Sequence, residues 1–335
     1  MESMAKKKLN LQALLAPLAL VILYIFFSIF GNNFFSVDML KNILESCYYI
    51  GFMAFGVTFV IITGGIDLSI GTVMMCSALL GAYVFKEHHW PLALALILTV
   101  GVGALFGVTN GLLVARLKLP PFIATLGTMM MSQGFGSIIT KVQSQTWPTA
   151  TADIGSWFKK VFIRNTFYIG QTKFAGFPVG VFWLILFFIL GALLLHKTKF
   201  GRYTFAIGSN EEAARLSGID VSKWKVLIYT VCGIFAGLGG IFYAAAYTTI
   251  TPGTGNGQEL NAIAGVVIGG TSMVGGSGTM VGTLIGIFIM SVLKNGLSAC
   301  GLQAPWQTFF TGAVVIGAVL LDIQRTKAAN RVKKG

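Results

Sequence analysis

Residues 91–116 read PLALALILTVGVGALFGVTNGLLVAR, and no charge interrupts the run before Arg116. At ~1.5 Å per residue a helix over this stretch is ~37 Å long, more than the ~30 Å of hydrocarbon in a bilayer. Gly103, Gly107 and Gly111 recur every four residues within it. Small residues at that spacing let two helix backbones approach closely inside a membrane. A second such run, Gly278, Gly282 and Gly286, lies near the other end of the chain.

The rest of the 335 residues agrees with that stretch. Hydrophobic residues make up 55% and charged residues only 10%, with 42 glycines. A soluble domain carries about 25% charged residues. So little charge cannot cover a water-exposed surface of this size, which excludes a soluble globular enzyme, a disordered chain and a secreted disulfide scaffold. Cys47, Cys76, Cys232 and Cys300 all fall in apolar stretches without a CxxC pair, as buried inert thiols do.

Ten segments approach the ~20 apolar residues of a membrane span: 11–30, 47–63, 67–85, 91–116, 121–141, 178–196, 224–248, 259–274, 278–300 and 305–322. The expected fold is therefore an all-α polytopic membrane protein of about ten transmembrane helices, a single transmembrane domain over 1–335. Segments 47–63 and 259–274 are short and run into glycines, so they read as broken or re-entrant. The first segment follows Lys6, Lys7 and Lys8, and its long apolar run without a cleavage site reads as a retained helix. Pro91, Pro121, Pro178 and Pro305 stand near segment starts, and Trp90, Trp224 and Trp306 at segment ends.

The formal charge of +13 is a signal of orientation. With ten spans and both termini inside, 16 of the 24 basic residues fall on the cytoplasmic side and 7 outside, with Lys294 within a helix. This accounts for the basic excess without nucleic acid as a partner.

Catalytic patterns are missing. There is no GxxxxGK[ST], HExxH or GxSxG, and the three histidines are His88, His89 and His196. The chain therefore reads as a transporter or channel, not an enzyme, with no cofactor or metal of its own. Two glycine-rich stretches stand out from packing motifs. TGGIDLSIGT at 63–72 holds Gly64, Gly65, Asp67 and Ser69, and GVVIGGTSMVGGSGT, from Gly265, holds Thr271 and Ser272 and follows Glu259 and Asn261. Such composition predicts backbone leaving helical geometry near membrane depth, tolerated only where protein buries it or water meets it. Asp67 reads either as part of a path or gate, or as a cap on the third span. Asn110, Thr125, Thr128, Ser132, Gln133, Asn261, Thr271 and Ser272 supply uncharged hydrogen-bonding groups, which suit a neutral polyhydroxylated solute better than an ion.

The most polar stretch is KTKFGRYTFAIGSNEEAARLSGIDVSK, 197–223. Glu211, Glu212, Ala213, Ala214, Arg215 and Leu216 are helix formers, Ser209 and Asn210 are caps, and Gly218 is a stop. The reading is a helix of one to two turns outside the membrane, suited to docking a partner.

Glu212-Ala213-Ala214, three residues, Gly218, nine residues and Ile228 resemble the EAA-x3-G-x9-I coupling pattern of permeases of ATP-binding-cassette (ABC) importers. GGIDLSIG (64–71), PPFIATLGTMM (120–130), FGRYTFAIGSNEEAARLSGI (200–219) and ELNAIAGVVIGGTSMVGGSGTMVGTLIG (259–286) resemble the monosaccharide branch, the ribose- and galactose-type permeases, over about residues 30–322. Branched-chain amino-acid and autoinducer permeases are related. The resemblance implies a bacterial inner-membrane subunit that works as two copies, with cassette ATPase subunits docked on 209–218 and holding ATP and Mg. It also implies an extracytoplasmic sugar-binding protein that delivers ribose or another pentose or hexose. An ATP-independent facilitator for small neutral solutes, or a related permease for autoinducer, nucleoside or branched-chain amino acid, stays open at this stage.

Overall fold

The computed structural model describes residues 11–149, 154–169 and 172–332. The Lys6–Lys8 run and both termini of the chain lie outside the described residues. The described chain is mostly helical. Helices α1 (Leu11–Phe30), α2 (Val37–Ile62), α3 (Ile70–Glu87), α4 (Leu92–Ala115) and α5 (Pro121–Ile139) follow one another through short turns. Strand β1 (Gln145–Thr146), α6 (Trp157–Phe162) and a ribbon of β2 (Asn165–Ile169) and β3 (Thr172–Phe177) form an excursion before α7 (Gly180–Lys197). Two short helices, α8 (Lys199–Ser209) and α9 (Glu211–Leu216), lead into α10 (Val221–Tyr247). Strand β4 (Thr249–Ile250), α11 (Gln258–Ile268), α12 (Met280–Ala299) and α13 (Ala304–Val332) complete the order. Seven of these helices, α2, α3, α4, α5, α7, α10 and α12, are long and apolar enough to cross a membrane.

Helix α2 is the axis of the fold. Every residue from Ser46 to Ile62 is buried. The segment expected to break at 47–63 is the inner part of an uninterrupted helix of 26 residues. Its first turns carry Asp38, Lys41, Asn42 and Glu45, which hide them from an apolar count. The polar turn is matched by the excursion: Arg164 Nε lies 2.6 Å from Glu45 Oε1, and its guanidinium donates to Asn42 at 3.1 Å.

The first glycine run packs as its spacing predicts. Gly103, Gly107 and Gly111 of α4 lie against Gly233, Tyr229 and Val226 of antiparallel α10. A side-chain carbon at Gly237 would stand 2.8 Å from the Thr99 carbonyl oxygen, and one at Gly103 would strike the Gly233 carbonyl. Backbone meets backbone along this seam, and larger residues would force the helices apart. The second run does the same for α11 and α12, where Gly265 and Gly269 meet Gly286 and Gly282.

The excursion caps one end of the bundle, here the ribbon end. Trp147 is fully buried, donates its indole N–H to the Ala78 carbonyl at 2.9 Å, and stacks on Phe158 with centroids 5.0 Å apart. Strand β1 pairs antiparallel with β4, with Gln145 opposite Ile250 and Thr146 opposite Thr249.

Candidate functional site

At the opposite end, the α9 end, local chemistry builds the short helix directly. Asn210 caps α9, its side chain accepting from the Ala213 N–H at 2.9 Å. Gly218 ends it in the left-handed region at φ +83°, a conformation that favours glycine. Ser209 belongs to α8, an eleven-residue helix that sequence reasoning missed. Glu212, Ala213 and Gly218 are exposed, Ala214 packs inward on Ile207 and Val221, and Leu216 stands 85% exposed. Glu211 pairs with Lys225 at 2.6 Å and Arg215 at 3.2 Å. A groove of about 840 Å³ opens beside α9, with Arg116, Lys118, Arg215 and Lys225 facing Glu211 and Asp220.

The end of α8 touches both glycine breaks at once. A side-chain carbon at position 208 would collide with the Ile62 carbonyl oxygen and stand 2.7 Å from the Gly276 amide nitrogen. That amide itself donates to the Ile62 carbonyl at 2.8 Å. Position 275 abuts the Gly208 carbonyl and Gly64, and position 276 abuts Ser209. The candidates Gly64, Ser209, Thr271 and Ser272 therefore gather at this end. Thr271 and Ser272 are buried in the loop that runs from α11 to α12.

From there the first break climbs into the bundle. Helix α10, 27 residues, is ~40 Å long. Gly240 lies against the Met74 carbonyl, ~28 Å from the first residue of α10, and Met74 is ~6 Å past the start of α3. Helix α3 thus begins about midway along α10. Asp67 lies beside Cys232 at that depth, although reading 67–85 as a full span sets it at the surface.

Asp67 is the center of a closed polar network. Its Oδ1 accepts from the Ser69 backbone N–H at 2.9 Å and from the Ser69 hydroxyl at 2.6 Å. Asn110 of α4 donates to Ser69 Oγ at 2.8 Å and to both Asp67 oxygens at 3.4 Å. Thr128 of α5 donates to Asn110 Oδ1 at 2.5 Å, and Thr125 accepts from the Leu68 N–H at 3.2 Å. Tyr229 of α10 donates to the Ile66 carbonyl at 3.3 Å. Gly65 sits beneath that tyrosine hydroxyl. Asp67, Ser69, Asn110, Thr125 and Thr128 are all buried. The network ties the entry of α3 to three other helices, and Asp67 makes a turn-capping contact within it.

The remaining candidates form a third group at mid-depth. Gln133 of α5 faces position 253, with Nε2 3.7 Å from a side-chain carbon placed there. Glu259 and Asn261 begin α11. Glu259 Oε1 accepts from the Gly257 N–H at 3.0 Å, while its buried Oε2, beside Gly71, has no hydrogen-bond partner among the described residues. Asn261 donates to Gln258 at 3.3 Å. Helix α11 has only 11 residues and runs ~16 Å from mid-depth to the α9 end. Sequence reasoning also left Lys294 without a role. Its ammonium donates to the Tyr49 hydroxyl at 2.6 Å and lies 5.3 Å from that ring's centroid. Among the described residues, no group of His, Cys, Asp and Glu is arranged to hold a metal ion.

Comparisons of sequence identify the family of the chain. The family model described as "Branched-chain amino acid transport system / permease component" matches residues 39–319. The chain is 40% identical to the ribose import permease protein of Bacillus subtilis (strain 168), over 92% of each chain. It is 36% identical to the fructose import permease protein of Rhizobium meliloti, over 91% of this chain and 84% of that one. It is 33% identical to a probable ABC transporter permease protein of Escherichia coli (strain K12), over 94% and 90%. No solved structure matches the chain. Seven helices of this chain are long and apolar enough to cross a membrane, and the chain belongs to the branched-chain amino acid transport system permease family.

Proposed function

We propose that this chain is the membrane permease subunit of an ABC importer for a neutral monosaccharide, ribose first and galactose or another pentose or hexose next. Two copies form the translocation path, a cassette ATPase holding ATP and Mg docks on α9, and an extracytoplasmic sugar-binding protein delivers the solute. In this reading the α9 end is cytoplasmic, both termini lie on that side, and the membrane is the bacterial inner membrane.

The observation that carries the proposal is the contact of Gly208 with Ile62 and Gly276. Gly208 lies near the end of α8, two residues before the Asn210 cap of α9, so a push on α9 passes through the end of α8 into backbone contacts with the end of α2 and the loop between α11 and α12. Ser209, Asn210, Glu211, Glu212, Ala213, Ala214 and Gly218 form the docking element. Gly64, Gly65, Asp67, Ser69, Asn110, Thr271 and Ser272 hold and move the gate, and Gln133, Glu259 and Asn261 stand at mid-depth beside the path. The ribose and fructose import permeases among the relatives support the solute class.

The test replaces Glu212 and Gly218 together in the assembled transporter. Expected is membrane insertion at the wild-type level with ATP-driven ribose uptake abolished. Unchanged uptake in that variant overturns the coupling assignment.

A further inference from the structure

Between β4 and α11 the chain reads TPGTGNGQ over 251–258. Following directly on the outer end of α10, this polar stretch has the composition of a surface loop. The fold places it elsewhere. Position 255 abuts the Gly71 carbonyl oxygen and Met75, and position 71 abuts Gly255 and Glu259. Those contacts set 255–259 level with the start of α3, which lies midway along α10. Two helices therefore begin at mid-depth and point to opposite ends of the bundle, with irregular chain leading into each.

The two approaches differ in exposure. Around Asp67 the irregular chain is sealed by its network. In 251–258, Thr251, Thr254 and Asn256 are exposed. Among the described residues, the amide side chains of Asn256 and of half-buried Gln133 make no hydrogen bond. Glu259, 5% exposed, leaves Oε2 without a hydrogen bond to any described residue where the two helix starts meet. Exposed, irregular polar chain at membrane depth is not compatible with lipid contact and has to face water or protein. Half-helix starts at the midplane are also where fixed N–H groups are available to polar solutes.

We infer that residues 251–258, descending from Thr251 beside Ser144 at the ribbon end to Gly255–Gln258 at mid-depth, form with Gln133 of α5 the water-lined wall that a neutral polyhydroxylated solute touches on its way to the middle of the membrane. The class of solute rests on the proposed function; the wall does not. Threonine hydroxyls and primary amides match sugar hydroxyls as both donors and acceptors, without the desolvation cost of a full charge. The cleft between α5 and the segment, bounded by Thr72, Ser132, Gln133 and Gly253, holds only about 10 Å³, room for roughly one water at most. A sugar passes here only when α5 and the segment part, so the same contact that recognizes the solute is also a gate.

The test uses the complete transporter in proteoliposomes, with Cys300→Ser to remove the one cysteine that is not buried. Thr254→Cys and Asn256→Cys are each treated with a membrane-impermeant cationic methanethiosulfonate. Thr166→Cys, exposed on the ribbon, is the water-facing control, and Ile97→Cys, 67% exposed on the apolar face of α4, is the lipid-facing one. Expected is labeling at 254 and 256 at least tenfold faster than at 97, slowed several-fold when D-ribose, loaded binding protein and ATP are present. Labeling at 254 and 256 as slow as at 97 overturns the wall. Fast labeling in a transporter that takes up no monosaccharide overturns the sugar reading and leaves the wall standing.

Discussion

Gly208→Ala tests the junction between the end of α8, which carries α9, and the two breaks with one added methyl group. The new carbon would stand 2.7 Å from the Gly276 nitrogen and 2.9 Å from the Ile62 carbonyl carbon, and closer still to the Ile62 oxygen. All three are backbone atoms, so no rotamer change makes room. Reaching an ordinary contact of ~3.5 Å requires the end of α8 to move by ~0.8 Å or more. Overpacking of this kind costs about 1–3 kcal/mol. If that cost falls on the α9-engaged state, it corresponds to about a 5- to 150-fold loss in the rate of the driven step, at ~1.4 kcal/mol per factor of ten. The measurement is ribose taken up per ATP hydrolyzed in proteoliposomes. Hydrolysis should continue while uptake per ATP falls at least fivefold. Gly101→Ala, where nothing lies within 4 Å, should leave the ratio unchanged. Uptake per ATP within twofold of wild type in Gly208→Ala would refute the reasoning.

Asn110→Ala strips a donor from Ser69 and Asp67 and an acceptor from Thr128. Leaving those buried groups unpaired should destabilize the protein by about 1–3 kcal/mol per group, read as a lowered midpoint of thermal unfolding in detergent. Gly233→Leu pushes a side chain into α4 at Gly103 and Gly107, and should abolish recovery of monodisperse protein, whereas Gly312→Leu, with nothing within 4 Å, should not. Trp147→Ala removes the stack on Phe158 and the bond to Ala78. It should cost about 3–5 kcal/mol and speed proteolysis of the excursion before α7. Glu211→Ala breaks two partly exposed ion pairs and should change the unfolding midpoint little, since such pairs contribute roughly 0–1 kcal/mol.

Local chemistry makes some elements legible in the residues themselves. Helix α9 follows from Asn210, a run of helix formers and Gly218, all within nine residues. The α4–α10 seam follows from glycines at intervals of four. Other elements depend on partners distant in sequence. The first turns of α2 are polar, and they join the helix because Arg164, more than a hundred residues later, answers Glu45 and Asn42. Helix α8 contains two glycines and β-branched or aromatic residues, poor helix formers. It forms because Phe200, Thr204 and Ile207 are buried beneath it. Depth is the hardest quantity to read from residue order. Residue order leaves Asp67 open between a path or gate near membrane depth and a cap on the third span, and gives the segment around Gly255 the composition of a surface loop. Only the contacts of Gly71, Cys232 and Gly255 with neighboring elements place them midway.

The α4–α10 seam supplies a ruler inside the molecule. With carbonyls and α-carbons of one helix lying on those of the other, there is no rotamer to exchange and no thickness to compress. The two helices form one plank. Spin labels fixed to the exposed faces of α4 and α10 should keep a constant separation through every nucleotide state. Pairs joining either helix to α9 or α11 then report motion against a stationary reference.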